Sequence, residues 1–539
     1  MTSVTAPPAP GRGRFPVGPT IVVVATLLRL GWAVGVPTIP VGDFATYRES
    51  ARYLVEFRHL DHGFVYMPGL VLLLAAIESL GGEVMAEKVM GALIGGLATA
   101  PIYLLAARLS PGAPGAARTA AGPPAEGGGR LPVAPVAAGL YAVWPAGIAI
   151  SSVIGTDIPA AAFMLLALML LVVLGDARPR AAAAAFGAAM GLASYFRAVA
   201  LPLTVLSAGY WLVRRAGVRA TALRTAIAVA ATLLVLSPWA ARNWRQSGEL
   251  SFTDSHGGIT ALMGNDPNTE GTYSRSLGLM FHELTGRTFL TEPHRQTDAI
   301  AYRIARSWVT FDPLWTVGMI ALRVERLFAA ERALLYWPLY RPGMLPPATA
   351  AWFGVHRALF TNVTDAYYFV ILLGVAGGIG FAVGERRLVA LLPLPFALAL
   401  AATYALFVAE PRYRLTTEVL LFPLAGLGLA RLADSAAHAV RRVWRRAQPE
   451  ESALTGPERR GLLGTLAVAG AIVAASVAIV AGGGALRERH RWAVALCRVD
   501  GKPALSMWRR DDEPREGPSP IHGAGGGGVR LAPPPGPYT

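Results

Sequence analysis

Residues 157–174 read DIPAAAFMLLALMLLVVL: one acid, one proline, then an unbroken apolar run. A helix needs roughly 20 such residues to cross a bilayer. Ten more apolar runs lie at 18–37, 84–107, 132–150, 181–196, 198–213, 225–241, 364–384, 388–408, 415–433 and 461–484. The reading is therefore an all-α polytopic membrane protein of about eleven transmembrane helices. Composition agrees. The 539-residue chain is 53% hydrophobic and only 15% charged, against about a quarter charged in ordinary soluble proteins. Mean hydropathy is +0.44. These values exclude a soluble enzyme, a disordered chain and a small disulfide scaffold.

Net charge is +15, and Lys88 and Lys502 are the only lysines, so arginine supplies nearly all the positive charge. The arginines fall in alternate loops: Arg108, Arg118 and Arg130; Arg178 and Arg180; Arg214, Arg215, Arg219 and Arg224; Arg386 and Arg387; and seven between Arg431 and Arg460. Basic loops stay on the cytoplasmic side. The excess is thus topological and implies no nucleic-acid partner. Residues 38–83, 151–157, 242–363 and 409–414 then lie outside the plasma (inner) membrane. The parity holds only if Pro68–Leu80, a short run carrying Glu78, does not span. It reads as an interfacial or re-entrant segment of the outer face.

The rest divides simply. Residues 1–17 read as a disordered cytoplasmic amino terminus, and 18–434 as one transmembrane domain with outer loops 38–83 and 242–363. Residues 435–460 form a basic cytoplasmic loop, 461–484 the last span, and 485–539 a flexible, Gly/Pro-rich tail outside. The apolar residues of 312–341, interleaved with Arg323, Glu325, Arg326, Glu331 and Arg332, read as amphipathic helix on the outer surface. Cys497, the only cysteine, forms no internal disulfide.

The chemistry-bearing residues gather in the outer loops. Gly42-Asp43 precedes a near-helical series of Phe44, Tyr47, Leu54 and Phe57. Thr156-Asp157 opens a span, with Pro159 in its first turn. Helix capping is the plain alternative for both acids. Yet two carboxylates at one membrane boundary also supply a general base and an electrostatic or metal-binding partner. Trp239, Arg242, Asn243 and Trp244 form an outer span end, followed by Gly264-Asn265-Asp266-Pro267. Aromatic belt and turn residues account for these equally well. Glu410-Pro411-Arg412-Tyr413-Arg414 is a basic loop on the side where basic loops are disfavoured. Arginine suits bidentate phosphate contacts, so this loop points to an anionic partner. There is no Walker A motif and no HExxH, and His256, His282 and His294 are scattered.

In order and placement, these motifs resemble the membrane glycosyltransferases with the GT-C fold, in the branch of protein O-mannosyltransferases and lipid A aminoarabinose transferases. The resemblance runs from about residue 18 to 434. It rests on Gly42-Asp43 with Tyr47 and Ala51, Met67-Pro68-Gly69-Leu70, Thr156-Asp157, Pro238-Trp239 with Arg242-Asn243, Gly264-Asn265-Asp266-Pro267, and Arg412-Tyr413-Arg414. The aminoarabinose transferases carry Lys where this chain has Met67, so it implies the reaction class rather than lipid A as substrate. It implies inverting transfer of a sugar from a polyprenyl-phosphate carrier to a lipid, glycan or protein hydroxyl at the outer face. Asp43 is then the general base, and Asp157 orients the acceptor or assists a divalent metal. Arg242, Arg412 and Arg414 take the donor phosphate, and Tyr47, Asn243, Asn265 and Tyr413 complete the site. No further cofactor is implied. A secondary transporter or flippase of lipid-linked sugars, and a non-catalytic envelope-assembly protein bound to membrane lipids, are the competing readings.

Overall fold

The computed structural model describes residues 17–495 apart from 62–63, 111–130, 255, 267–274, 290, 292–293 and 445–455, together with 498–499 and 502–503. The amino-terminal arm, much of the basic loop and most of the tail read above, with Pro267 and Cys497, lie outside the described residues.

In the hydrocarbon of a bilayer every backbone amide must find its partner within the segment, which leaves helix as the economical solution for long apolar runs. Among the described residues eight helices are long and apolar enough to span. They begin with α1 (Val17–Gly35), after which α2 (Asp43–Phe57) and α3 (Gly69–Ser79) form a pair. α3 has 11 residues, or about 16 Å at 1.5 Å per residue, half the hydrocarbon thickness. The non-spanning reading of Pro68–Leu80 fits that length. The second span joins α4 (Val84–Leu97) and α5 (Thr99–Leu109).

A ninth candidate is broken. α6 (Val133–Ala142) and α7 (Pro145–Ala149) meet at a 48° bend. Pro145 supplies no N–H to continue the first helix, so the chain turns there. Then come α8 (Asp157–Gly175), α9 (Pro179–Phe196), the short α10 (Ala200–Leu203) and α11 (Ser207–Val213), and the 30-residue α12 (Val218–Ser247). Against about eleven expected spans, eight helices, or nine with the bent pair, qualify by length and composition among the described residues. The runs at 181–196 and 198–213 do not pass. The first is the alanine-rich α9, and the second is broken into pieces shorter than a membrane crossing.

A lateral cap follows: α13 (Gly257–Asn265), α14 (Arg275–Thr285), α15 (His294–Phe311), α16 (Pro313–Leu327) and α17 (Pro347–Val355). The expected amphipathic helix over 312–341 needs correction. Helix ends at Leu327, and a 3-10 turn (Glu331–Leu335) and a π turn (Tyr336–Tyr340) follow. Arg323 does not face the surface. It is fully buried, donating to the carbonyls of Ala405, at 2.5 Å, and Gly264. Carbonyls left free at helix ends gave the guanidinium an internal alternative to water.

The last spans are α18 (Arg357–Gly384), α19 (Pro393–Leu406), α20 (Arg414–Trp444) and α21 (Gly456–Ala495). α20 runs through the boundary expected at 434. It packs against α6, α8, α18 and α19, and it centres the main apolar core. Its contact with α18 depends on missing side chains. A Cβ on Gly428 would stand 1.9 Å from the Gly374 carbonyl oxygen. Gly428→Ala is expected to force the two helices apart and cost about 1–3 kcal/mol, read as a lowered melting temperature in detergent. Gly139→Ala, where an added Cβ meets nothing within 4 Å, is the control that leaves the melting temperature unchanged.

Candidate active site

Four chain segments bring their polar ends together at one end of the bundle. The first leaves α1 as an extended strap, fixed by Ile39 N donating to the Met344 carbonyl at 2.7 Å. At Gly42 the backbone turns through φ +60°, and a Cβ there would lie 2.8 Å from Arg341 Nη2. The positive φ is what calls for glycine at this position. The turn delivers Asp43 as the first residue of α2. Gly42 holds the cap position, so the Asp43 carboxylate is not spent on capping. It accepts from Arg412 Nη2 at 2.6 Å instead.

The second and third segments supply Asp157 and Arg197. Thr156 occupies the cap position of α8, again without a side-chain cap bond, and the buried Asp157 pairs with Arg197 just past α9. The capping alternative therefore fails for both acids: each is committed to an arginine. The fourth segment is the short turn Pro411–Tyr413 that opens α20.

Aromatic rings tie the two ion pairs into one array. The Arg412 guanidinium lies 4.5 Å from the Trp337 ring centroid and 5.5 Å from Tyr413. Arg197 lies 4.4 Å from the same Tyr413 and 5.9 Å from Tyr404, and the two tyrosines stack at 5.1 Å. Phe44 meets Trp337 edge-on at 5.3 Å, and Arg341 sits 3.8 Å over Trp337. A Cβ on Gly155 would touch both Phe44 and Asp157 Oδ2, so the two acidic arms are adjacent. Cations over ring faces keep their charge at low desolvation cost.

The electrostatics follow from this packing. Partial desolvation pushes the Asp43 carboxyl up, but Arg412, with help from Arg341, holds it below its ordinary value. Asp43 is thus ionised near neutral pH. Burial leaves Glu410 above its ordinary value despite Arg412. Burial also pushes Tyr66 up to about 12, and Asp254, beside Asp298, up to about 7. Burial lowers His256, so it is neutral.

Of the residues expected at the site, Asp43, Asp157, Arg412, Tyr413 and Tyr47 come together. Tyr47 lies 5.6 Å from Tyr66, which in turn lies 5.2 Å from His256. The others do not join them. Arg414 is fully buried, pairing with Glu331 and Glu418, both at 2.5 Å, and donating to the carbonyls of Leu327, at 3.1 Å, and Ala329. This corrects its expected phosphate role: no face of it is open to a ligand. Asn265 is buried against Arg323. Asn243 is buried and donates to the carbonyls of Ser251 (3.0 Å) and Thr253 (3.3 Å), anchoring the strap that leads to Asp254. Arg242 stacks on Trp239 and donates to the Asp61 carbonyl at 3.3 Å.

Sequence reading missed Arg197, Arg341, Tyr66 and Trp337 as site residues. A charge between two short apolar runs was the available signal for Arg197; the other three lie in irregular chain without periodicity. Among the described residues no group of three His, Cys, Asp or Glu converges as metal ligands. Asp43 and Asp157 each already face an arginine, a donor set that does not suit a divalent cation.

No protein-family model matches the chain, and no curated protein matches it. Among solved structures it is similar to the Archaeoglobus fulgidus oligosaccharyltransferase in its apo form, at 16% identity and TM-score 0.44 over 86% of this chain. The chain spans 56% of that protein's length. The same archaeal enzyme, AglB, in complex with an inhibitory peptide and a dolichol-phosphate gives 16% identity and TM-score 0.43, again over 86% of this chain and 56% of that one. ArnT from Cupriavidus metallidurans bound to undecaprenyl phosphate gives 17% identity and TM-score 0.36, covering 82% of this chain and 84% of that one. Both are glycosyltransferases of the GT-C fold.

Two measurements probe the array. Arg412→Gln removes the main force holding Asp43 down, so its carboxyl should titrate at higher pH than in the native protein. Infrared difference spectra against Asp43→Asn read this directly, and an unmoved band contradicts the assigned cause. Arg414→Gln leaves two buried carboxylates without their cation and should cost about 3–5 kcal/mol, read from thermal unfolding in detergent.

Proposed function

We propose that the chain is an inverting glycosyltransferase of the GT-C type, using a polyprenyl-phosphate-linked sugar as donor. One observation carries the reading: an ionised carboxylate, Asp43, shares one aromatic array with two guanidiniums, those of Arg412 and Arg197. Transfer from a lipid phosphate needs both functions side by side. An acceptor hydroxyl must lose its proton as it attacks, and a phosphate must leave with a growing negative charge.

In the proposed step the acceptor oxygen attacks the anomeric carbon from the face opposite the phosphate. The new C–O bond forms as the C–O bond to phosphate breaks, and its electron pair stays on the phosphate oxygen. The acceptor proton passes to Asp43. Arg412 and Arg197 neutralise the departing lipid phosphate. Before the donor arrives, Arg412 is neutralised by Asp43, so donor binding exchanges one anionic partner for another and frees the base. A carboxylate held below its ordinary value is a weak base, but it needs only to accept the proton as the bond forms. Asp157 fixes Arg197. No step is assigned to a metal ion.

The positive-inside distribution of the basic loops supports a site on the extracytoplasmic face of the plasma (inner) membrane. The acceptor is a lipid, glycan or protein hydroxyl. Asp43→Asn should lower transfer from radiolabelled polyprenyl-phosphate sugars by about 10²–10⁴-fold while the protein still folds and inserts. Native turnover by that variant removes the base role. Absence of transfer from every donor, with substrate flux across proteoliposomes, overturns the enzyme reading in favour of a transporter.

A further inference from the structure

A second group of polar side chains lies beside the ion-paired array, and the transfer step does not use it. Tyr47 stands on α2, Tyr66 in the chain before α3, and Asp254 and His256 in the strap between α12 and α13. The Tyr47 and Tyr66 ring centroids are 5.6 Å apart, and the His256 ring lies 5.2 Å from Tyr66. The charge of Asp254 reaches the same Tyr66.

The polar heads of this group are unspent. Arg412 and Arg197 each hold a carboxylate. Among the described residues, by contrast, the hydroxyls of Tyr47 and Tyr66 and Nε2 of His256 bond to nothing in the protein, and Asp254 accepts only from its own backbone N–H. All four side chains are half-buried, and of their polar atoms only His256 Nδ1 is sealed. The rings that carry these heads are nevertheless held. Tyr47 and Tyr66 pack on the apolar cluster of Leu70 and Leu74. Phe64 braces Tyr66 edge-on at 6.0 Å and meets Trp239 at 6.4 Å. A few fixed polar groups with open heads, set among apolar side chains, are the makings of a ligand site.

The chemistry of these groups says which ligand. A phenol hydroxyl and a neutral imidazole each donate and accept, as the hydroxyls of a sugar do. The one guanidinium among the described residues whose charge reaches Asp254, that of Arg197, is held by Asp157, and Asp298 adds a second carboxyl group. An acidic sugar finds no counter-ion there. Position says which sugar. The anomeric carbon of the donor is one oxygen away from phosphorus. A donor whose phosphate meets Arg412 therefore lays its ring against the groups next to Arg412 and Asp43. Tyr47 and Tyr66 are such groups, since the charges of Arg412 and Asp43 act on both.

We propose that Tyr47, Tyr66, His256 and Asp254 read the sugar of the lipid-linked donor, and that this sugar carries hydroxyls and no acidic group. The four residues set specificity, while Arg412 and Arg197 hold the phosphate; the division rests on the transfer reaction proposed above.

Calorimetric titration of the purified full chain tests this with undecaprenyl phosphate, bare or bearing one of a panel of neutral hexoses and pentoses, or glucuronate. At least one neutral sugar should tighten binding about tenfold or more over the bare carrier, and glucuronate should not. Tyr66→Phe should weaken the sugar-bearing carrier about tenfold, the loss of one net hydrogen bond, and leave the bare carrier unchanged. Tyr47→Phe is the second variant, with the same expectation. Neither lost hydroxyl bonds the protein, so both variants keep the fold. Equal affinity of the native chain for bare and sugar-bearing carriers overturns the proposal, as does native affinity for the sugar-bearing carrier in both variants. A parallel loss of the bare carrier overturns it in favour of a phosphate or purely structural role. Unchanged donor binding with a raised KM for the acceptor overturns it in favour of an acceptor site. Failure of the native chain to bind either carrier removes the transferase reading itself, and this one with it.

Discussion

Everything at the polar end of the bundle depends on where Arg414 is held. Its guanidinium is sealed from solvent between Glu331 and Glu418 and takes two carbonyls from the end of α16 and the turn after it. A charge so placed has few permitted positions, because each lost contact leaves an unpaired ion in an apolar setting. Two residues earlier, Arg412 inherits that fixity. From the other side, Glu331 also accepts from the Trp144 indole at 2.9 Å, and the segment that continues from it carries Trp337 to Arg412. One buried ion cluster thus sets the first turn of α20, the bend at α7 and the ring beneath the Arg412 guanidinium.

The two arginines of Arg412-Tyr413-Arg414 consequently divide their labour. Arg414 is fully buried and held by internal partners alone, whereas Arg412 touches one carboxylate and three rings. Ring contacts are non-exclusive, so a guanidinium held this way retains its hydrogen-bonding edge for another partner. The same holds for Arg197, which shares Tyr413 from the opposite direction. Arginine rather than lysine is required in both roles: the planar head stacks and forks at once, where an ammonium does neither.

Much of this was legible in the sequence, and the boundary has a physical cause. Asp43, Asp157 and Arg412 could be grouped because the ends of apolar runs and the alternation of basic loops assign all three to one end of the bundle, the end at which the structure has them. That reasoning carries depth and side, but not azimuth. Arg414, Asn243 and Asn265 share the same depth and yet turn inward, and only neighbouring helices decide this. Against about eleven expected spans, eight helices of the described residues, or nine with the bent pair, qualify by length and composition; the alanine-rich α9 is too weakly apolar to count by composition, although it packs along both α8 and α12. Arg197 was visible as a charge between two runs, but its meaning came from Asp157, 40 positions upstream, meeting it across a helix hairpin.

The order in which these contacts can form is set by their separation along the chain. Asp157 and Arg197 belong to the neighbouring helices α8 and α9, which can pair as soon as both have left the ribosome. Asp43 and Arg412 are 369 positions apart, and six of the eight single spans must be made before the second of them exists. Throughout that interval the array lacks its centre. Membrane integration therefore precedes assembly of the array, and a chain stalled before α20 is inserted but incomplete. The delay keeps a desolvated arginine from ever waiting in the bilayer for its carboxylate, since the acid is always there first.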